Sequence, residues 1–312
     1  MQSERVVPSF GECAVAYVEA HRKSWRSDKH IAQWTKTLTT HCAQIWGMRV
    51  SEIDTETLLK VLQPVWERLP ETARRLRGRI EKVLDAAAVR GFRSGENPAR
   101  WRGHLQNLFA KPQMLARRHH AALPYERLPE LMAELRGRQS LAARALEFAI
   151  LTACRSGEVR CARWDEIDLE KAVWMIPANR MKAGKEHRVP LSDRGVAILT
   201  MLQEMRTSDF VFPGNASGRP LSALAMARQL QRINADEVTV HGFRSTFRDW
   251  ASETTSFPHE VCEQALAHAI GNKTEAAYRR GDLFEKRRKL MDTWAAYCEP
   301  KAPNVITLVQ PG

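Results

Sequence analysis

Apolar positions in the first hundred residues recur at helical spacing. After Ser27 and Asp28, which can cap a helix, Ile31, Trp34, Leu38, Cys42, Ile45 and Trp46 fall on one stripe. A second stripe starts near Asp54 with Leu58, Leu59, Leu62 and Val65. A third follows Pro70-Glu71 and carries Ala73, Leu76, Ile80, Val83, Leu84 and Ala87. Asn97-Pro98 ends the run. The stretch 111–123, with Arg117, Arg118, His119 and His120, reads as a basic linker. Two apolar helices are expected over 126–135 and 140–154. Past residue 163 the pattern changes. Segments 173–176 and 187–191 read as strands joined by a turn at 183–186, a hairpin. Helices are expected after Ser192 and Ser222, a short extended piece at 210–213, and helix over most of 240–298. The pattern predicts a mainly α chain with a small β-hairpin. It divides into a helical domain at 1–118, a linker at 119–123 and a mixed α+β domain at 124–312.

The length of 312 residues suits two domains. Charge sharpens the picture: 48 Lys+Arg against 36 Asp+Glu, a net of +12, argues for an anionic partner. Residues 1–122 hold 21 Lys+Arg and 12 Asp+Glu, so most of the excess lies there. The polar side of the third helix carries Arg74, Arg75, Arg77, Arg79 and Lys82, offset by Glu71 and Glu81. Like charges at this spacing repel unless something negative covers them. Those five, with Arg117 and Arg118, are the expected phosphate-contacting residues.

The longest apolar stretch near the middle, 148–154, is far short of the roughly 20 residues a membrane span needs. Residues 1–10 lack the apolar core of a secretory signal. No membrane partner is expected, and the reading is cytoplasmic. Six cysteines without CxxC spacing read as reduced thiols. His259-Glu260 starts like HExxH, but position 263 is Glu, so the second zinc ligand is missing. Glycine-rich nucleotide motifs are absent from the sequence, and no cofactor or metal is expected.

Four places carry candidate chemistry. Arg155 ends an apolar helix, where a guanidinium needs a partner, and Glu158 three residues on can orient it. Lys182 precedes the hairpin turn, with Lys185 as a second lysine in it. His241 and Arg244 share a helix face and suit a phosphoryl group, the arginine forking onto two oxygens. His268 precedes Tyr278 by ten residues. A phenol of ordinary pKa about 10 is a weak nucleophile unless clustered cations favour its phenolate. Singly, each also fits a structural role.

In order, these read R-x-x-E, K on a hairpin, H-x-x-R, H, then Y. That series, with LTACRSGEVRCARWDEIDL, RMKAGKEHRVPLS, HGFRSTFRDWASE and LAHAIGNKTEAAYRRGDLFEKRRKLMDTWAAYC, resembles the tyrosine recombinases, the phage-integrase family, and prophage and genomic-island integrases in particular. The resemblance covers about 123–300. The first part is less specifically similar to the family's core-binding domain.

The resemblance implies a helical core-binding domain followed by a mixed α+β catalytic domain. By motif, Arg155 and Arg244 would clamp the scissile phosphate, and Lys182 would protonate the leaving 5′ hydroxyl. His241 and His268 would bond phosphate oxygens or assist proton transfer, Glu158 would support Arg155, and Tyr278 would be the nucleophile. The implied activity is site-specific recombination of double-stranded DNA through a 3′-phosphotyrosine, without metal or ATP, for integration and excision of a mobile element. A homo-tetramer on DNA, accessory DNA-bending proteins, and a tail after Cys298 docked on a neighbouring protomer would accompany it. Island integrases usually carry a further N-terminal arm-binding domain; with a first helix near Phe10, no room for one is expected. Two other readings stay open: a DNA-binding relative without strand transfer, and a type IB topoisomerase-like relaxing enzyme.

Overall fold

The structure is a computed structural model that describes residues 6–25, 28–109, 121–268 and 281–300. The chain divides into two units, 1–117 and 118–312.

In the first unit, α1 (Phe10–His21) opens on a reciprocal cap. The Ser9 hydroxyl accepts from the Glu12 N–H at 3.3 Å, and the Glu12 carboxylate accepts from the Ser9 N–H at 2.8 Å. Helix α2 (Asp28–His41) is shorter than its apolar stripe; Cys42 and Ile45 are buried in the turn beyond it. Helix α3 (Thr55–Arg68) starts at Asp54, whose carboxylate caps the Thr57 N–H at 2.8 Å. Helix α4 (Pro70–Val89) starts on proline, which lacks the N–H a first turn leaves unused. Helix α4 packs on α1, α2 and α3 around Leu38, Leu58, Leu62, Leu76, Ile80 and Leu84.

In the second unit Leu123 lies in the core, and the Ala121 carbonyl accepts the Thr239 N–H at 3.0 Å. Helix α5 (Leu128–Arg136) precedes α6 (Leu141–Thr152), which is apolar nearly all round and therefore central. Short α7 (Ser156–Arg160) follows. The sheet has three antiparallel strands, β1 (Ile167–Asp168), β2 (Val173–Ile176) and β3 (His187–Pro190). Two-residue β1 leaves too short a pattern to read from sequence. The hairpin is not tight either: Ile176 pairs with His187, and the intervening loop, 177–186, includes a 3-10 turn at Ala178–Arg180. Segment 210–213 makes only isolated bridges. Helices α8 (Asp193–Glu204), α9 (Ala225–Arg232), α10 (Gly242–Thr254), α11 (His259–Ala265) and α12 (Phe284–Tyr297) complete the unit. Fully buried Glu147 accepts hydrogen bonds from Arg136, Arg144 and Arg194, and Arg136 continues to Glu299, tying the end of α12 to α5 and α6. Among the described residues, no helix is long and apolar enough to cross a membrane.

Candidate active site

The centre of the second unit is where α6 stops. Ala153 ends the helix in the left-handed region at φ 50°, an unfavourable conformation for alanine worth about 1–2 kcal/mol. After that turn Arg155 is the N-cap of α7 and Glu158 its third residue. One carboxylate then holds Arg155 twice. Glu158 Oε2 accepts the Arg155 backbone N–H at 2.9 Å, and Oε1 accepts Nη1 at 2.9 Å. The remaining Arg155 arm, Nη2, reaches the Ala267 carbonyl at 3.3 Å.

Arg244 approaches from α10. His241 is that helix's N-cap, and its carbonyl accepts the Arg244 N–H at 3.2 Å. The Arg244 guanidinium is buried, 5% exposed. It donates to the Ala153 carbonyl, to the Leu266 carbonyl at 2.6 Å, and to His268 Nε2 at 3.1 Å. It makes no ion pair with any described residue, and its buried Nε has no partner among them. Burial first, then the neighbouring Arg155 charge, pulls its pKa below the usual guanidinium value. Ala267, whose carbonyl serves Arg155, is a second left-handed alanine, at φ 48°. Two strained turns therefore present carbonyls to two arginines, an arrangement typical of a site the fold over-determines.

His268 follows that turn, and Glu263 Oε2 meets its Nδ1 at 2.7 Å. A guanidinium only donates, so Nε2 accepts from Arg244 and Nδ1–H donates to Glu263. Glu263 also accepts from Arg248 at 2.8 Å. Partial burial opposes it, but the His268 and Arg248 contacts hold the Glu263 carboxyl below the ordinary value.

The structure thus brings Arg155, Glu158, Arg244 and His268 into one cluster, with His241 on the surface one turn from Arg244. Lys182 and Lys185 are exposed in the β2–β3 loop. Tyr278 lies outside the described residues, as do Arg117, Arg118 and the tail beyond Pro300. On either side of 269–280 the chain is fixed. Leu266 and Ala267 are held by the two arginines, and Asp282 by Arg188 at 2.9 and 2.8 Å and by Arg287 at 2.8 Å.

Sequence reasoning missed two residues here. In the sequence Glu263 reads only as the residue that spoils a zinc motif. His187 follows the lysine loop, and strand alternation with Val189 could have turned it inward. Burial pushes the His187 imidazole down to about 4; the Arg287, Arg155 and Arg244 charges act the same way against a hydrogen bond with Ala265. It is therefore neutral near pH 7.

The expected phosphate-contacting face of α4 is smaller than the sequence suggested. Arg74, Arg75 and Lys82 are exposed, the arginines sharing Glu71. Arg79, three residues from Leu76 and four from Val83, falls on the apolar stripe. It is buried, donates to the Gln33 carbonyl at 2.7 Å and lies 5.2 Å from the Trp34 ring centre. Arg77 flanks the stripe, donating to Glu81 at 2.7 Å and to the Ala99 carbonyl at 2.8 Å. Those two arginines tie α4 to the Gln33 and Ala99 carbonyls of the first unit.

The model of the phage integrase family matches residues 122–283, and that of the phage integrase central domain matches 10–104. The prophage integrase IntA of Escherichia coli (strain K12) is 36% identical over 257 residues, 80% of this chain and 60% of that protein. The integrase of Enterobacteria phage P4 is 29% identical over 93% of this chain and 69% of its own length. The chain thus spans about two thirds of the length of such relatives. A lambda integrase solved as a tetramer bound to a Holliday junction has the same fold, with TM-score 0.65 and 14% identity over 85% of this chain and 79% of that one. The Tn1549 transposon integrase, solved with circular intermediate DNA, gives TM-score 0.65 and 12% identity over 92% of this chain and 99% of its own. With its second unit matched across more than half of the whole sequence, this chain belongs to the phage integrase family.

Proposed function

We propose that the chain is the core-binding and catalytic portion of a site-specific DNA recombinase, integrating and excising a mobile element by cutting and rejoining duplex DNA. The observation that carries this is Arg244: a buried cation with no ion pair to any described residue, a buried Nε without a described partner, and Arg155 and His268 beside it. An unpaired buried charge is costly, and a phosphodiester entering the cluster supplies the counter-charge.

In this reading Tyr278 attacks phosphorus, losing its proton, and the bond to the 5′ oxygen breaks. The 3′ phosphate stays on the tyrosine and the leaving oxygen takes a proton from Lys182. Bond energy is conserved in the phosphotyrosine, and a 5′ hydroxyl from a partner duplex reverses the step. Arg155 and Arg244 are fixed donors for charge that grows on the phosphate oxygens, the largest usual contribution in such chemistry. Glu158 orients the first arginine; His268, held by Glu263, and His241 complete the polar ring. Residues 1–118 grip duplex DNA, with Arg74, Arg75 and Lys82 on the surface and Arg117 and Arg118 at the end of that segment. The working assembly is a tetramer on DNA in the cytoplasm, aided by DNA-bending proteins. The lambda integrase tetramer on a Holliday junction supports that assembly.

A duplex nicked beside the cleavage point tests this. A protein–DNA adduct that survives denaturation is expected from wild type. None is expected from Tyr278→Phe, which should still bind. An adduct from that variant, or binding of attachment sites without any adduct from wild type, overturns the reading. Exchange between two duplexes, beyond relaxation of a supercoiled circle, separates recombinase from topoisomerase.

A further inference from the structure

The β2–β3 loop poses a positional problem. Ten residues, 177–186, separate paired Ile176 and His187, and Lys182 stands exposed among them. A slack loop of that length would spread a lysine over many positions, and ordering each backbone residue carries an entropic cost. Two anchors stand immediately before Lys182. The Met181 side chain is buried in the core, 6% exposed, and its carbonyl accepts the Gly184 N–H at 3.0 Å, where Gly184 turns at φ 66°. The other anchor is Arg180. Its Nη1 sits on the Glu166 carboxylate, and its Nη2 donates to the Glu158 carbonyl at 2.6 Å. Glu166 is itself buried and accepts the Trp174 indole N–H at 3.0 Å.

The Glu158 contact is the informative one. The same residue that offers Arg180 its carbonyl uses its carboxylate to hold Arg155. One guanidinium therefore joins the lysine loop to the helix that sets the phosphate clamp. We propose that Arg180 is a positioning residue that fixes Lys182 relative to Arg155, so that proton donor and phosphate site keep one geometry. This rests on the recombinase reading and its assignment of Lys182 as general acid. Lys182 is two residues from Arg180, within about 7 Å along the chain. Lys185 lies beyond the Gly184 turn, so Lys182 is the lysine this anchor serves. A misplacement near 1 Å is worth on the order of 10²-fold in rate.

The test uses the full chain and two nicked duplexes, one with the natural 5′ oxygen at the scissile phosphate and one with sulfur there. A thiolate is a far better leaving group than an alkoxide and departs without a proton. Arg180→Lys keeps the charge opposite Glu166 and gives up the planar fork that reaches Glu158. It should form adduct about 10–100-fold more slowly than wild type on the oxygen duplex, and within about threefold of wild type on the sulfur duplex. Lys182→Ala should show the same split, and the double variant should be no slower on oxygen than Lys182→Ala alone. Rate constants, rather than amplitudes, are compared, so a smaller folded fraction does not imitate the effect, and Arg180→Gln provides a second variant. Equal slowing on both duplexes, or none on either, overturns the role of Arg180 while Lys182→Ala keeps its split. If Lys182→Ala itself shows no split, the general-acid assignment fails and this inference falls with it.

Discussion

Substituting Gly242 with alanine tests how the site is built. Gly242 lies between His241 and Arg244, at the first turn of α10. A Cβ there would stand 2.1 Å from the Ala121 carbonyl oxygen, 2.9 Å from its carbon and 3.0 Å from Ala122 Cα. All three are backbone atoms, so no side chain can swing away. Relief requires opening this contact by about 1 Å or more. The same Ala121 carbonyl accepts the Thr239 N–H at 3.0 Å, and the Gly242 N–H bonds the Thr239 carbonyl at 2.9 Å, so separation strains both bonds. Overpacking of about 1–3 kcal/mol is expected. At about 2–4 °C per kcal/mol for a unit of this size, the second unit should melt roughly 2–12 °C lower. The start of α10 carries both His241 and Arg244, so a shift near 1 Å should slow adduct formation by on the order of 10²-fold even well below the melting point. Calorimetry and adduct kinetics on the nicked duplex measure the two effects. A Gly242→Ala protein that melts within a degree of wild type and forms adduct at the same rate would refute the claim that this close approach sets the arginine.

Three further outcomes are expected. Glu263→Gln should slow adduct formation roughly 10-fold, the worth of about 1.5 kcal/mol for a charge-assisted hydrogen bond; in a His268→Trp background the same change should have little effect, and equal effects in both would show Glu263 acting elsewhere. His187 has a folded-state pKa of about 4 against 6.5, so the unfolded chain binds its proton first. Its contribution is intact above about pH 6.5 and is lost as pH falls towards 4, by up to about 3 kcal/mol at about 1.4 kcal/mol per unit. The stability difference between wild type and His187→Gln, followed by urea unfolding, should shrink over that window, and a flat difference would contradict it. On α4, Arg75→Ala should lower the slope of log affinity against log salt by about one with little change in melting, whereas Arg79→Ala should destabilise the first unit. Identical behaviour of the two would restore the wider basic face.

The sequence by itself determined much of this protein. Hydrophobic period and caps at Asp54, Pro70, Ser140 and Ser192 placed the helices because they are local signals, settled by a few neighbouring side chains. Motif order singled out Arg155, Glu158, Arg244 and His268, which lie in one cluster. What the tertiary structure decided is where residues far apart in the chain meet. Arg79 and Arg75 look alike in sequence, yet one is a core tether and the other faces solvent. That follows from helix phase and from Gln33 and Trp34 contributed by α2. Glu263 became the partner of His268 through the left-handed turn at Ala267, which no periodicity reports. Arg180 is an ordinary loop residue in the sequence pattern, and only the tertiary structure brings the Glu166 carboxylate and the Glu158 carbonyl to it. Local pattern fixes elements and chemical types. Long-range packing alone decides which charges are spent on the fold and which stay free of it.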